Sequence, residues 1–155
     1  WTRNKNQKIS IRKYNYIIGS GWWCGDNPEN ENRIIAGDDS IRGKDFHKLW
    51  YGAICKYTSP EKIFIVDSNS PTQPDLNIED DRIEFVSLPL NAGHSTSHKG
   101  KFSGWLRSVL LGVEYAYMSD ADYFVYVEQD VLLYGENIIE NCISHHALLI
   151  LAQIH

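Results

Sequence analysis

The chain has 155 residues, 43% of them hydrophobic, and sets 20 acidic against 15 basic side chains for a formal net charge of -5. That length supports one substantial core and argues against two full domains, so residues 1–155 read as a single domain. The acidic balance, with no Lys/Arg stripe, excludes the electrostatic footprint of a nucleic-acid binder and points to a small partner.

Cys24, Cys55 and Cys142 are few, odd in number and widely spaced, and no CxxC-type zinc spacing occurs. Reduced thiols in a cytoplasmic protein are therefore expected. The longest apolar run, Ala147 to Ala152, falls far short of the roughly 20 residues that span a bilayer, so no transmembrane segment is expected. The polar start also lacks a signal-peptide apolar region. The sequence opens on Trp1 and closes on His155 inside what reads as a helix, which suggests a piece truncated at its C-terminus.

In chain order, Tyr14 to Gly19 is a short apolar run closed by Gly19-Ser20-Gly21, read as a first strand followed by a loop. Residues 22–39 form a long polar connection. Phe46, Leu49, Trp50, Ala53, Ile54 and Tyr57 then recur at helical spacing, the stripe of an amphipathic helix that Pro60 must stop. Lys62 to Asp67 reads as a second, buried strand and Arg82 to Leu88 as a third. Phe102, Trp105, Leu106, Val109, Leu110 and Val113 mark a second helix. Tyr123 to Val127 is a run of apolar and aromatic residues ended by Glu128 and Asp130, a buried strand that delivers two acids to its carboxyl edge. A final helix is expected from about Gly135, carrying Ile138, Ile139, Cys142 and the Leu148 to Leu151 cluster.

This alternation predicts an α/β fold, a Rossmann-like three-layer sandwich with a mostly parallel sheet. Ligands bind such sheets outside the carboxyl ends of the strands. At alternate positions of an extended backbone, Glu128 and Asp130 point the same way and can converge on one hard divalent cation, Mg²⁺ or Mn²⁺. The dinucleotide fingerprint is missing, because Gly19-Ser20-Gly21 supplies only the first two glycines of GxGxxG and Trp22-Trp23 follows; no GxxxxGK[ST] occurs either. His94 and His98 lie four apart in a Ser/Gly/Lys-rich loop, where solvated histidines are the commoner case. His145 and His146 are adjacent and face different ways on a helix. The tryptophans read mainly as packing, with Trp22 or Trp23 open to stacking on a base or sugar.

Four segments together resemble the nucleotide-binding half of GT-A-type glycosyltransferases, the large inverting family that includes cellulose and chitin synthases. They are IVDSNS (Ile65 to Ser70), LPLNAGH (Leu88 to His94), GWLRSVLLGVEYA (Gly104 to Ala116) and DADYFVYVEQDVLL (Asp120 to Leu133). The resemblance implies that Asp67 contacts a nucleobase and that Asn91 and Gly93 form the turn into the following helix. It also implies that Glu128 and Asp130 stand for the two acids of the DxD motif that hold a metal and the diphosphate of a UDP- or GDP-sugar. Glu in place of the first Asp leaves ligation more secure for Asp130. Gly19 and Ser20 at the first strand's end and Lys101 after the turn, with Lys99 and Arg107, complete the candidate nucleotide-sugar site.

Inverting transfer also needs a base to deprotonate an acceptor hydroxyl. Only 25 residues follow Asp130, with Glu136 and Glu140 in the terminal helix, so the catalytic base is unassigned and the acceptor half reads as missing or minimal. Two other readings stay open: a non-catalytic nucleotide-binding module, and a nucleotidyltransferase, though the latter's basic Gly-rich signature is lacking at Gly19 to Cys24. A homo-oligomer is one way to cover the apolar end near Leu148 to Ile154.

Overall fold

The computed structural model describes residues 14–25, 38–93, 98–145 and the backbone of 151–153. In order, the elements are β1 (Tyr16–Trp22), a 3-10 helix (Asp39–Arg42), α1 (Phe46–Tyr57), β2 (Lys62–Asp67), β3 (Ile83–Ser87), α2 (Gly104–Met118), β4 (Tyr123–Tyr126), α3 (Ile138–Ser144) and β5 (Leu151–Gln153). The sheet order is β3-β2-β1-β4-β5. The first four strands are mutually parallel, and β5 joins the edge of β4 antiparallel, pairing Phe124 with Ala152. This is the mostly parallel, Rossmann-like α/β layout that the alternation of patterns predicts.

Each face of the sheet buries its own cluster. Tyr16, Ile18 and Trp22 of β1 pack with Trp50 and Ile54 of α1 and with Ile139 and Ile143 of α3. The alternate positions, Ile17 of β1, Phe64 and Val66 of β2 and Phe124 of β4, pack against Ala116 and Val113 of α2. The period of two along each strand thus divides the chain into three layers. The β1-to-β2 and β3-to-β4 connections run in opposite directions across the sheet, so crossovers of one hand place α1 and α2 on opposite faces.

The first strand corrects the expectation of a loop at Gly19-Ser20-Gly21. It continues to Trp22, with Gly19 paired to Phe64 on one side and Tyr126 on the other. These glycines are not strand breakers. A Cβ at Gly19 would overlap the Phe124 ring, and one at Gly21 would stand 2.5 Å from the Ser108 hydroxyl. Glycine here admits a close neighbour above the strand.

The C-terminal end corrects a second expectation. The helix predicted from Gly135 through Leu151 is only Ile138–Ser144, and residues 151–153 form a strand. A short apolar run does not by its periodicity distinguish helix from strand, and the unpaired outer edge of β4 supplies a ladder that the local pattern cannot reveal. His94 and His146 lie outside the described residues, as do the side chains from Leu148 to Ile154. No helix among the described residues is long and apolar enough to cross a membrane, and Cys24, Cys55 and Cys142 are all free thiols.

His47 gives the fold a testable pH dependence. It is fully buried on α1, stacked on Tyr51 with ring centroids 5.8 Å apart and edge-on to Trp22. Burial pushes its imidazole from 6.5 down to about 4, against the opposing pull of Asp75. The folded state therefore binds fewer protons than the unfolded chain between these values. Its contribution is complete above about pH 6.5 and is lost progressively as pH falls to about 4. At about 1.4 kcal/mol per unit, the loss over that whole range is of order 3–4 kcal/mol. Urea melts at pH 7 and pH 4.5 are expected to show a markedly smaller acid loss for His47→Phe than for the wild type; equal losses would remove His47 from the account.

Candidate functional site

A cleft of about 200 Å³ opens at the carboxyl edge of the sheet. Gly21, Trp22 and Trp23 reach it from the end of β1, Val66 and Ser68 from β2, and Leu88 from β3. Tyr126, Glu128, Gln129 and Asp130 reach it from the end of β4. Strands β1 and β4 are neighbours whose connections leave in opposite directions, so the cleft lies at the topological switch point, where open α/β sheets bind ligands.

The acidic segment does not approach this cleft as an extended strand. Pairing continues through the Val127 N–H, which donates to the Gly19 carbonyl at 2.9 Å, and then the chain turns, with the Val131 N–H donating to the Glu128 carbonyl at 3.0 Å. That carbonyl also accepts from the Trp50 indole at 3.1 Å. Gln129 fastens the turn from the other side. Its Oε1 accepts from the Trp23 N–H at 2.9 Å, and its Nε2 donates to the carbonyls of Trp23 at 3.1 Å and Ile41 at 2.7 Å. Gln129 thus continues the β1–β4 pairing with a side chain after the backbone ladder has stopped.

Glu128 and Asp130 themselves are exposed and have no hydrogen bond or ion pair among the described residues. Two unpartnered carboxylates on a turn pinned at its backbone and at its middle side chain form a rigid, negatively charged corner of the cleft. No group of three or more His, Cys, Asp or Glu side chains able to hold a metal occurs among the described residues. Two carboxylates still suit a magnesium-like ion, which commonly keeps several waters and takes its other ligands from substrate phosphates.

Part of the lining is aromatic. Tyr126 donates or accepts with the Ser108 hydroxyl at 2.8 Å, accepts from the Gly21 N–H at 3.2 Å, and meets Trp105 edge-on with centroids 6.1 Å apart. Burial pushes its phenol up to about 12, so it stays protonated at neutral pH. Trp105 is 46% exposed despite its size, leaving an indole open at the cleft.

Other predicted residues divide into two groups. Asn91 and Gly93 line the cleft, joined by an Asx-type bond from the Gly93 N–H to Asn91 Oδ1 at 3.0 Å, with Gly93 at a φ of 77° that favours glycine. Asp67 does not line it. Its buried carboxylate accepts from the Ser70 N–H at 3.1 Å, from the Ser70 hydroxyl and from Ser87 Oγ at 2.7 Å. To touch a base it would have to leave these bonds. Gly19 and Ser20 are buried within β1 and do not line the cleft either. Lys101 is exposed with its ammonium over the Phe102 ring, and the Arg107 guanidinium donates to the Phe102 carbonyl at 3.0 Å; neither lines the cleft.

The N-terminus of α2, which borders the cleft at Gly104, spends its N–H groups internally. Gly104 donates to the Gly93 carbonyl, and Leu106 and Arg107 donate to the Ser103 hydroxyl and carbonyl. Arg42, Gln129 and Trp105 are the contributors that the pattern of the sequence misses. Only Trp105 left a local signal, as the bulky residue at the mouth of a helix.

Fold and cleft together define an α/β protein with a cleft at the switch point of its sheet, lined by two exposed acids. Comparison with protein-family models, with curated proteins and with solved structures finds no match to this chain.

Proposed function

We propose that the chain is the donor-binding part of a GT-A-type glycosyltransferase, which holds a UDP- or GDP-sugar at this cleft with Mg²⁺ or Mn²⁺ on Asp130 and Glu128. The observation that carries the reading is the contrast within three consecutive residues: Gln129 is fully engaged in holding the turn, while the acids on either side are left without partners. Two exposed acids on one turn, neither held by a protein partner, are open to a shared cation. A divalent ion there supplies Lewis-acid neutralisation of the diphosphate that leaves when the sugar is transferred.

The volume refines the reading. About 200 Å³ is less than the roughly 300–1,000 Å³ usual for pockets that enclose a whole small ligand. The cleft therefore takes the diphosphate end of the donor with an adjoining ring, and the rest of the nucleotide lies outside it. Trp105 and Trp23 offer ring faces for stacking, and Asn91 offers an amide for hydroxyl recognition. A cytoplasmic setting fits the three free thiols.

An acceptor base is not assigned. Glu140 accepts from the Tyr16 hydroxyl at 2.6 Å and from the Ser59 N–H at 2.8 Å, and it does not line the cleft. This keeps a non-catalytic nucleotide-binding module as the second reading. Incubation with UDP- and GDP-sugars plus Mn²⁺ separates the two: slow release of free sugar, abolished by a chelator, is expected for the transferase. Cation-dependent binding with no bond cleavage over many hours would assign the module instead.

A further inference from the structure

We propose that the indole of Trp105 is the platform on which the apolar face of the transferred sugar stacks; this rests on the nucleotide-sugar reading of the cleft. Three tryptophans line the cleft among the described residues. Trp22 is 1% exposed and packs its ring against His47 and Trp50 in the core. The Trp23 indole lies back on its own loop: its Nε1 is buried, and its six-membered end is so near Gly25 that a Cβ there would stand 3.2 Å from it. Trp105 presents the most open ring of the three.

The open ring stands on a held support. Ser103 caps α2 by accepting from the Leu106 N–H at 3.2 Å, and the Ser108 hydroxyl donates to the Trp105 carbonyl at 2.7 Å. A serine hydroxyl has one proton to give. Ser108 Oγ therefore accepts from the Tyr126 hydroxyl at 2.8 Å, and Tyr126 Oη accepts in turn from the Gly21 N–H at 3.2 Å. This chain of bonds runs from β1 through β4 to the first turn of α2, and it holds Tyr126 edge-on to the indole. An edge-on neighbour occupies at most one face of a ring, so the other is left for a ligand. A tryptophan has only two side-chain torsions to fix, so it offers that area at low entropic cost.

Position decides which ring of the donor lies there. Tyr126 is two residues before Glu128, and after burial the charges of Glu128 and Asp130 also raise its phenol, so the indole beside it stands at the acid end of the cleft. In a nucleoside diphosphate sugar the rings bonded directly to the diphosphate are the transferred sugar and the ribose, and the nucleobase is one ring farther from the metal. A pyranose chair carries a flat patch of C–H groups whose partial positive charge suits the negative face of an indole, whereas a puckered ribofuranose has no such patch. Asn91 can serve the same ring. Its Oδ1 is taken by the Gly93 N–H, so what it has for a sugar hydroxyl is its amide N–H donors.

Calorimetric titration of UDP, UDP-glucose, UDP-N-acetylglucosamine, GDP and GDP-mannose, each in Mn²⁺, into the wild type, Trp105→Phe and Trp105→Leu tests this. At least one sugar nucleotide is expected to bind the wild type about 10-fold more tightly than its own nucleoside diphosphate. Trp105→Leu is expected to erase that gain while leaving UDP and GDP within about twofold, and Trp105→Phe to keep part of it. A gain that survives in Trp105→Leu, or no gain from any of these sugars, would overturn the assignment while leaving nucleotide binding in place. So would a loss of UDP or GDP affinity in Trp105→Leu as large as that of the sugar nucleotide, which would put the base or ribose on the indole. No binding of any of these ligands by the wild type would remove the nucleotide-sugar reading and the assignment with it. Trp105 is exposed, so its replacement is expected to leave the fold in place; should Trp105→Leu unfold, Trp105→Phe decides by the same comparison.

Discussion

Asp130→Asn is expected to weaken cation-dependent binding of a nucleoside diphosphate on the order of 100-fold, which is about 2.7 kcal/mol. The amide keeps the size and shape of the side chain but removes one of the two charges proposed to hold the ion, and a hard divalent cation binds a neutral amide oxygen far more weakly than a carboxylate. Stability should hardly move. Asp130 is exposed and has no hydrogen bond or ion pair among the described residues, and surface changes of that kind stay within about 0.5 kcal/mol. Removing one of two neighbouring like charges even favours the folded turn slightly. Glu128→Gln should lose less, if Asp130 is the main ligand as the resemblance to the DxD motif implies. Isothermal titration alongside urea melts reads both quantities, and unaltered affinity in a well-folded Asp130→Asn variant would show that the acid does not hold the metal.

The second large effect concerns the core beneath the site. Gly112→Ala is expected to destabilise the fold by about 1–3 kcal/mol, the usual cost of overpacking. Helix propensity alone gives the opposite sign, because Ala in a helix interior is better than Gly by about 1 kcal/mol. Sterics win here. The added methyl would stand 2.6 Å from Phe124 Cε2 and closer still to Cζ, and the same ring blocks a Cβ at Gly19. Phe124 is 2% exposed and belongs to β4, between β1 and β5, so its backbone has no room to retreat. Phe124→Leu should rescue Gly112→Ala in part while costing stability alone, a non-additive cycle. A Gly112→Ala variant as stable as the wild type would mean that the ring is not wedged between the two glycines. The effect reaches the cleft as well, since Phe124 lies in the strand that delivers Glu128.

The sequence announces the elements whose signal is local. α1 is bounded as its apolar spacing and Pro60 require, and β2 matches the KIFIVD run because a strand covered on both faces is apolar throughout. Features that depend on a distant partner are silent. Gly19 and Gly21 read as punctuation, yet they answer to Phe124, Ser108 and Tyr126 far along the chain. The terminal apolar run reads as helix because nothing local tells it that β4 has a free edge. Within the site, acids after a buried strand are legible as chemistry, and Asn91, Gly93, Glu128 and Asp130 do meet in one cleft. Arg42 is illegible, because a basic residue in a polar connection has no pattern until the fold brings its neighbour, Ile41, to Gln129. Asp67 shows the reverse case: a strand-ending acid whose neighbouring serines, Ser70 and Ser87, absorb its carboxylate.

On the proposed function, the unpartnered acids at the end of β4 share a divalent cation with the phosphates of a bound nucleotide. Calorimetric titration of the wild-type chain with UDP and GDP, each in Mn²⁺ and again in excess chelator, tests it most directly. Saturable binding of one nucleotide in Mn²⁺, lost on chelation, is the predicted result; binding of equal strength in the two buffers, or none in either, would contradict it.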